Sequence, residues 1–375
     1  MKIGIISMQR IINYGSFLQA YSLKKIIEQL GHNVLFIDYH IEPCIVPSNQ
    51  KNYNIFYKMY KNVRKYVGYT LSIFNKEKYL RNKQKKEFFN KFKYACKHYL
   101  NITDEYHYQV PTDVLIIGSD EVFNCLQTNA DVGYSLELFG KNHKSKKLIS
   151  YAASFGNTTL NKLKQYNVDK EISQLLNNFD CISVRDNNSK NIIENLTDKI
   201  PFMHLDPVFI YDYTDDIPAP PDIKDYIIVY AYANRINEQE AEYIINFAKK
   251  HNKKLICLGN RQNFCDIYIP ASPFEVLSYF KNADYIITDT FHGSVFSIKY
   301  NIPFAVIIRE SINGSYGNSE KLNDLINKFS FNNRIVKKLN ELESILSDDI
   351  DFTNANKIIE DETNKSINYL KKWLA

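Results

Sequence analysis

The stretch ADYIITDTFHGSVFSIKYNIPFAVIIR, residues 283–309, decides the reading of this chain. Two apolar runs of strand length, 285–288 and 303–308, flank a short segment of helical character whose first turn carries His292, Gly293 and Ser294. Apolar runs that alternate with helix signals mark the buried strands of a parallel α/β sheet. Such sheets bind ligands outside the carboxyl ends of their strands, where helix N-termini point unpaired amides at the crevice. A histidine in that place is a proton donor or acceptor beside an anion site. The expectation is an active site for a phosphorylated or carboxylated donor.

Strand and helix signals continue to alternate outward from this stretch. Further strands are predicted at 2–7, 34–38, 114–117, 148–152, 181–184, 227–230 and 255–258. A helix starts near Ser16, with Leu18, Tyr21, Ile26, Ile27 and Leu30 on the 3.6-residue period and Gly31 as a natural C-cap. Ser272, Pro273 and Glu275 form a capping box ahead of the 285–288 strand. The pattern predicts an α/β protein, and 375 residues exceed one ordinary core. Two doubly wound Rossmann-like domains are therefore expected, spanning 1–210 and 222–350. The joint falls in the proline-rich 206–221, and a basic helical insertion occupies about 50–100. Residues 355–375 carry Ile359, Thr363, Ile367, Leu370 and Leu374 on one stripe, which suits a last helix packed back on the first domain.

Composition limits the function classes. No apolar run approaches the roughly 20 residues of a membrane span, and the first apolar run is too short for a signal-peptide core. A cytoplasmic protein is expected. The six cysteines form no CxxC pair and the eight histidines no HxxxH spacing, so reduced thiols and no metal are expected. The first strand-to-helix turn lacks a full GxGxxG, which argues against a dinucleotide cofactor. Residues 51–97 hold fourteen Lys or Arg against Glu77 and Glu87, a balance of +12 in a chain of +5, interleaved with rings such as Phe88, Phe89 and Phe92. Two readings stand: helices with solvated lysines over an aromatic core, or a peripheral dock for an anionic membrane or a lipid-diphosphate-linked glycan at its inner face. No recognition motif accompanies the charge, so nucleic acid is not an expected partner.

Several residues could carry chemistry. His292 stands first, with Asp289 and Thr290 before it and Gly293 after it at a strand end. Arg185, Arg261 and Arg309 each follow a strand and suit bidentate capture of carboxylate or phosphate. In GSDEVFN (118–124), Gly118 permits a tight turn, and Ser119 and Asp120 either cap a helix or face a polyhydroxy substrate. Asn13 and Tyr14, in the first strand-to-helix turn, share that ambiguity.

Read together, NYGSFLQAYSL (13–23), GSDEVFN, SYAASFG (150–156), SVRD (183–186), LDPVF (205–209) and TDTFHGSVFSI (288–298) resemble the polysaccharide pyruvyl transferase family. Members of that family usually read GSDQVWN where this chain has Glu121 and Phe123, and the carboxylate at 121 is the departure that bears on acceptor choice. The resemblance implies a fold like two-domain GT-B glycosyltransferases. It implies phosphoenolpyruvate as co-substrate, without a cofactor, and a sugar diol of a surface polysaccharide, capsule or exopolysaccharide, or of a lipid-linked precursor. The products would be a pyruvyl ketal and phosphate. On this reading His292 is the best candidate for one proton transfer, worth about 10²–10⁴-fold, with Asp120 or Glu121 as its partner. Arg185 and the helix start at Gly293 and Ser294 would hold the donor's two anionic groups, assisted by Arg261 and Arg309. Asn13, Tyr14, Ser119 and Asn124 would face the acceptor. Two rivals are a GT-B glycosyltransferase using a nucleotide sugar and a catalytically silent membrane-docking component of glycan assembly. The first is weakened because the helix through 294–300 carries no acid to grip a ribose.

Overall fold

The computed structural model describes residues 1–46, 76–127, 132–310, 317 and 319–375. Eleven strands are described: β1 (Lys2–Ile6), β2 (Asn33–Phe36), β3 (Val114–Asp120), β4 (Lys147–Ala153), β5 (Ser183–Val184), β6 (Phe202–Met203), β7 (Tyr226–Tyr230), β8 (Lys254–Leu258), β9 (Ile267–Ile269), β10 (Tyr285–Thr288) and β11 (Phe304–Val306). The described helices are α1 (Tyr14–Gln29), α2 (Lys76–Tyr99), α3 (Leu160–Gln165), α4 (Asp169–Asn177), α5 (Asn187–Leu196), α6 (Pro207–Ile210), α7 (Glu238–Lys250), α8 (Pro273–Lys281), α9 (Phe291–Lys299), α10 (Ser319–Lys328), α11 (Leu342–Ser347) and α12 (Thr353–Trp373).

The strands form two all-parallel sheets, in the orders β2-β1-β3-β4-β5-β6 and β11-β10-β7-β8-β9. The central strands β3 and β7 are buried almost throughout, as sheets covered on both faces require. Strand order reverses between β1 and β3 in the first sheet and between β7 and β10 in the second. Those reversals are where a doubly wound sheet opens a crevice. The architecture is the GT-B-like pair of α/β domains. Two edge strands, β6 and β9, were not legible, because two or three residues of mixed polarity carry no period. The strand expected at 181–184 shrinks to Ser183–Val184, with Cys181 reduced to an isolated bridge.

Local sequence sets the helix ends as expected. The Asn13 side chain caps α1 by accepting from the amides of Gly15 and Ser16, and Gly31 follows the helix at φ +89°. Ser272 and Glu275 complete the capping box of α8. The domains are joined by a continuous apolar core rather than by a thin linker contact, since α1 packs on α8. Phe17 and Tyr21 set their rings edge-on against Phe274 at 5.8 and 4.9 Å, and Tyr21 also donates to Asp216 at 2.6 Å. Each such buried ring contributes about 1.5–3 kcal/mol.

Helix α12 returns to the first domain, where the Tyr369 hydroxyl donates to the Ser150 carbonyl at 2.7 Å. Of the basic insertion, 76–97 lies on α2 and 47–75 lies outside the described residues. Helix α2 touches both domains. Phe88 and Phe92 pack against Tyr14, while Lys91 reaches Glu275 of α8 at 3.0 Å.

Candidate active site

The two strand-order reversals face each other across the domain boundary and enclose a cavity of about 400 Å³. Its wall takes Asn13 and Ser16 from the turn after β1 and the start of α1, Asp120 and Glu121 from the end of β3, and Thr290 and His292 from the turn after β10. The approach between domains is close. A Cβ on Gly15 would fall 2.0 Å from Nδ1 of His292, so only glycine lets the start of α1 meet the imidazole. Thr290 caps α9, its hydroxyl accepting from the Gly293 amide at 2.9 Å, and this fixes His292 in the first turn. His292 is 8% exposed, and its Nε2 has no hydrogen-bond partner. The nearest opposite charge, Oδ2 of Asp206, lies at 3.6 Å, an ion-pair distance beyond hydrogen-bond range.

Beneath His292 sits a buried charge network. Arg185 donates to Asp206 at 2.7 Å and to Asp120 at 3.3 Å, and its guanidinium lies 4.3 Å from the Phe291 ring. Ser16 donates to the other oxygen of Asp120 at 2.7 Å. Burial alone pushes the Asp120 carboxyl up, but Arg185, His292 and the Ser16 hydrogen bond outweigh it and hold the group below the usual carboxylate range. Asp206 is lowered in the same way, burial being overcome by His292 and Arg185. Both are therefore carboxylates at neutral pH. Ser119 and Asp120 take φ of +24° and +69°, so the end of β3 is strained at the position that presents the Asp120 side chain.

A second pair flanks the first. The Lys321 ammonium of α10 contacts Oε1 of Glu121, while Asn124 donates to Oε2 at 2.8 Å. Burial lowers the Lys321 pKa, but Glu121 more than reverses the effect, so the ammonium stays charged. Arg235, in the segment after β7, also lines the cavity, 4.9 Å from the Tyr232 ring and 3.7 Å from Asp289. Among the described residues, no group of three His, Cys, Asp or Glu side chains is placed to hold a metal ion.

Sequence reasoning placed His292, Asp120, Glu121, Arg185 and Asn13 here, and the structure brings these five together. Seven other expected positions do not line this cavity. Arg309 is engaged in a two-pronged pair with Glu240 at 2.7 and 2.8 Å and does not line the cavity. Arg261 lines a different, larger cavity, stacked 4.4 Å from Tyr268. Gly293 is tight for packing, since a Cβ there would meet Oγ1 of Thr288 at 2.1 Å, and Ser294 donates back to the Thr290 carbonyl. Tyr14 is an interdomain strut, 2% exposed, donating to the Ala271 carbonyl at 2.7 Å. Ser119 is fully buried and donates to Asp206 at 3.3 Å. Asn124 is occupied in holding Glu121, and its oxygen accepts from Thr158 at 2.8 Å. Gly118 serves helix packing rather than a turn, with Leu23 2.6 Å from its would-be Cβ. The residues missed were Ser16, Asp206, Arg235 and Lys321. Asp206 and Ser16 lie inside motifs already singled out, whereas Lys321 sits on a helix with no local mark.

Among solved structures, a spinosyn rhamnosyltransferase complexed with thymidine diphosphate aligns over 100% of both chains at 10% identity and TM-score 0.47. A UDP-GlcNAc 2-epimerase of Methanocaldococcus jannaschii aligns over 97% of this chain and 100% of its own, at 12% identity and TM-score 0.45. No curated protein matches the chain in sequence. The family model for polysaccharide pyruvyl transferase matches residues 13–311, from the cap of α1 to just beyond β11, and so takes in the glycine that meets His292, the Arg185 network and His292 itself. This chain is a member of the polysaccharide pyruvyl transferase family.

Proposed function

We propose that the protein transfers pyruvyl from phosphoenolpyruvate to a sugar diol of a surface polysaccharide or its precursor, forming a ketal and releasing phosphate. The observation that carries this reading is the His292 side chain, which lines a cavity together with Arg185, Arg235 and Lys321 while its buried Nε2 atom lies 3.6 Å from the Asp206 carboxylate. Phosphoenolpyruvate presents a phosphate and a carboxylate, and it needs cations at both ends. Arg235 and Lys321 suit one end, and Arg185 with the first amides of α9 the other.

The transfer balances with the groups present. One sugar hydroxyl adds to C2 of the donor while the methylene carbon takes a proton and becomes a methyl group. The second hydroxyl then displaces phosphate from C2, and its proton leaves with the phosphate. His292 is assigned the proton delivered to carbon, and Asp120, an ionised carboxylate, accepts the proton of the attacking hydroxyl. Asp206, 3.6 Å from Nε2, places a negative charge beside the imidazole. The scheme needs no cofactor. No helix among the described residues is long and apolar enough to cross a membrane.

Calorimetric titration tests the donor without knowledge of the acceptor. Saturable binding of phosphoenolpyruvate is expected, weakened about tenfold or more in Arg235→Ala. Saturable binding of a nucleotide sugar with none of phosphoenolpyruvate would overturn the reading in favour of glycosyl transfer.

A further inference from the structure

A second cavity, of about 910 Å³, adjoins the first and shares Ile11 and Asn260 with it. Its walls come from the turn after β1, from one face of α2 and from the turn after β8. Among the described residues, four cations line it, Arg10, Arg81, Lys85 and Arg261, against one carboxylate, that of Asp38. That carboxylate is already committed. Arg10 pairs with Asp38 through two nitrogens at 2.5 and 2.9 Å and also donates to the carbonyls of Thr103 and Glu105. Arg10 and Asp38 therefore hold the wall, and Lys85, Arg261 and Arg81 set the charge of the space.

Those cations lie beside aromatic faces. Arg261 stacks 4.4 Å from Tyr268, and the Lys85 ammonium sits 5.8 Å from the Phe89 ring, with no ion pair recorded for it among the described residues. Arg81 is tied to Glu77 one turn away, with 46% of its side chain exposed. Rings with cations at their edges suit a ligand that has apolar sugar faces and a negative group. Lys85 and Arg261, with no carboxylate partner among the described residues, also concentrate anions in the cleft. A neutral glycan would leave this charge unanswered. The donor cannot occupy the space and react, because its C2 has to reach His292, which lines only the smaller cavity.

We propose that the larger cavity seats an acceptor glycan bearing an anionic group one or more sugars away from the diol, with Lys85 and Arg261 as the groups that recognise the charge. This rests on the assignment of the smaller cavity to the donor. The basic face of α2 is on this view a substrate wall. The negative group has two sources, a diphosphate joining the glycan to a carrier or an acidic sugar within the chain.

Titration of the full chain, saturated with phosphoenolpyruvate, separates these cases. The probes are a neutral disaccharide, the same disaccharide carrying a diphosphate ester, and a uronate-containing disaccharide. At least one anionic probe is expected to bind about tenfold more tightly than the neutral one. That advantage is expected to vanish in Lys85→Glu and shrink in Arg261→Gln, with phosphoenolpyruvate binding unchanged in both variants. Preference for the diphosphate ester assigns the charge to a carrier, and preference for the uronate assigns it to the glycan. Equal binding of neutral and anionic probes would overturn the proposal, as would an anion preference that survives Lys85→Glu. Failure of phosphoenolpyruvate to bind at all would strike the donor assignment instead, and the probes titrated alone would still report on the larger cavity.

Discussion

Arg185 in the smaller cavity has 2% of its side chain exposed and is gripped by two carboxylates from different strand ends, whereas Arg81 in the larger one is 46% exposed and holds one glutamate on its own helix. The smaller cavity contains ions that have been taken out of water and fixed against one another. The larger cavity contains ions left in water beside aromatic rings. Fixed charges that need no rearrangement suit a reaction in which protons move and charge develops at one carbon. Solvated charges on long side chains suit capture, where steering matters more than placement.

The comparison can be broken at several points. Replacing His292 with Ala is expected to lower kcat by about 10²–10⁴-fold while phosphoenolpyruvate binding persists. Near-normal turnover in that variant would remove the imidazole from the chemistry. Arg185→Ala leaves Asp120 and Asp206 buried without their shared counter-charge and is expected to destabilise the fold by about 3–5 kcal/mol in denaturant unfolding. A variant as stable as the parent would show that the two carboxylates reach water without Arg185.

Burial on this side of the molecule also predicts a pH dependence. His204, two residues before Asp206, packs against Tyr369 at 4.6 Å, and burial lowers its pKa to about 4. The unfolded chain binds a proton near pH 6.5 that the folded chain refuses until about pH 4. Stability is therefore full above the upper value and falls as pH drops through that window, by roughly 3 kcal/mol in all. In His204→Phe this slope should disappear. The loss linked to Asp120 and Asp206, whose folded pKa values are depressed, sets in at lower pH still.

A smaller effect sharpens the contact between domains. Gly15→Ala places a methyl where the His292 ring now stands and is expected to cut kcat about ten- to a hundredfold through displacement of the imidazole. Its thermal midpoint should fall, because the methyl overlaps a buried ring at a cost of about 1–3 kcal/mol, which outweighs the preference of alanine for the helix. Smallest of all, Lys85→Glu is expected to change stability by no more than about 0.5 kcal/mol, as befits a solvated face. A large loss of stability there would mean that Lys85 supports the fold.

Much of the fold was legible because it rests on local signals. The runs at 227–230 and 285–288, the Asn13 cap and the box at Ser272 and Glu275 each lie within a few residues of what they specify. The site was legible where a strand end and a helix start coincide, as at His292, Asp120 and Arg185. It was not legible where a side chain's role depends on a distant partner. Tyr14 looks like a binding residue in its turn, yet its hydroxyl is bound to a carbonyl 257 residues away. Arg309 follows a strand as Arg185 does, but Glu240, 69 residues earlier, claims it. Lys321 enters the cavity from α10 to neutralise Glu121, 200 residues before it, so the unusual carboxylate at 121 and its counter-ion are read only together in space.

The central claim is that His292 and its carboxylates form a ketal from phosphoenolpyruvate. Its most direct test is nuclear magnetic resonance of the protein in D2O with phosphoenolpyruvate and saccharides that differ in the configuration of their diols. The account predicts acceptor-dependent release of phosphate in step with a ketal methyl group that carries a single deuteron, both lost in His292→Ala. Transfer of a sugar from a nucleotide donor by the same protein, with phosphoenolpyruvate inert toward every saccharide, would contradict it.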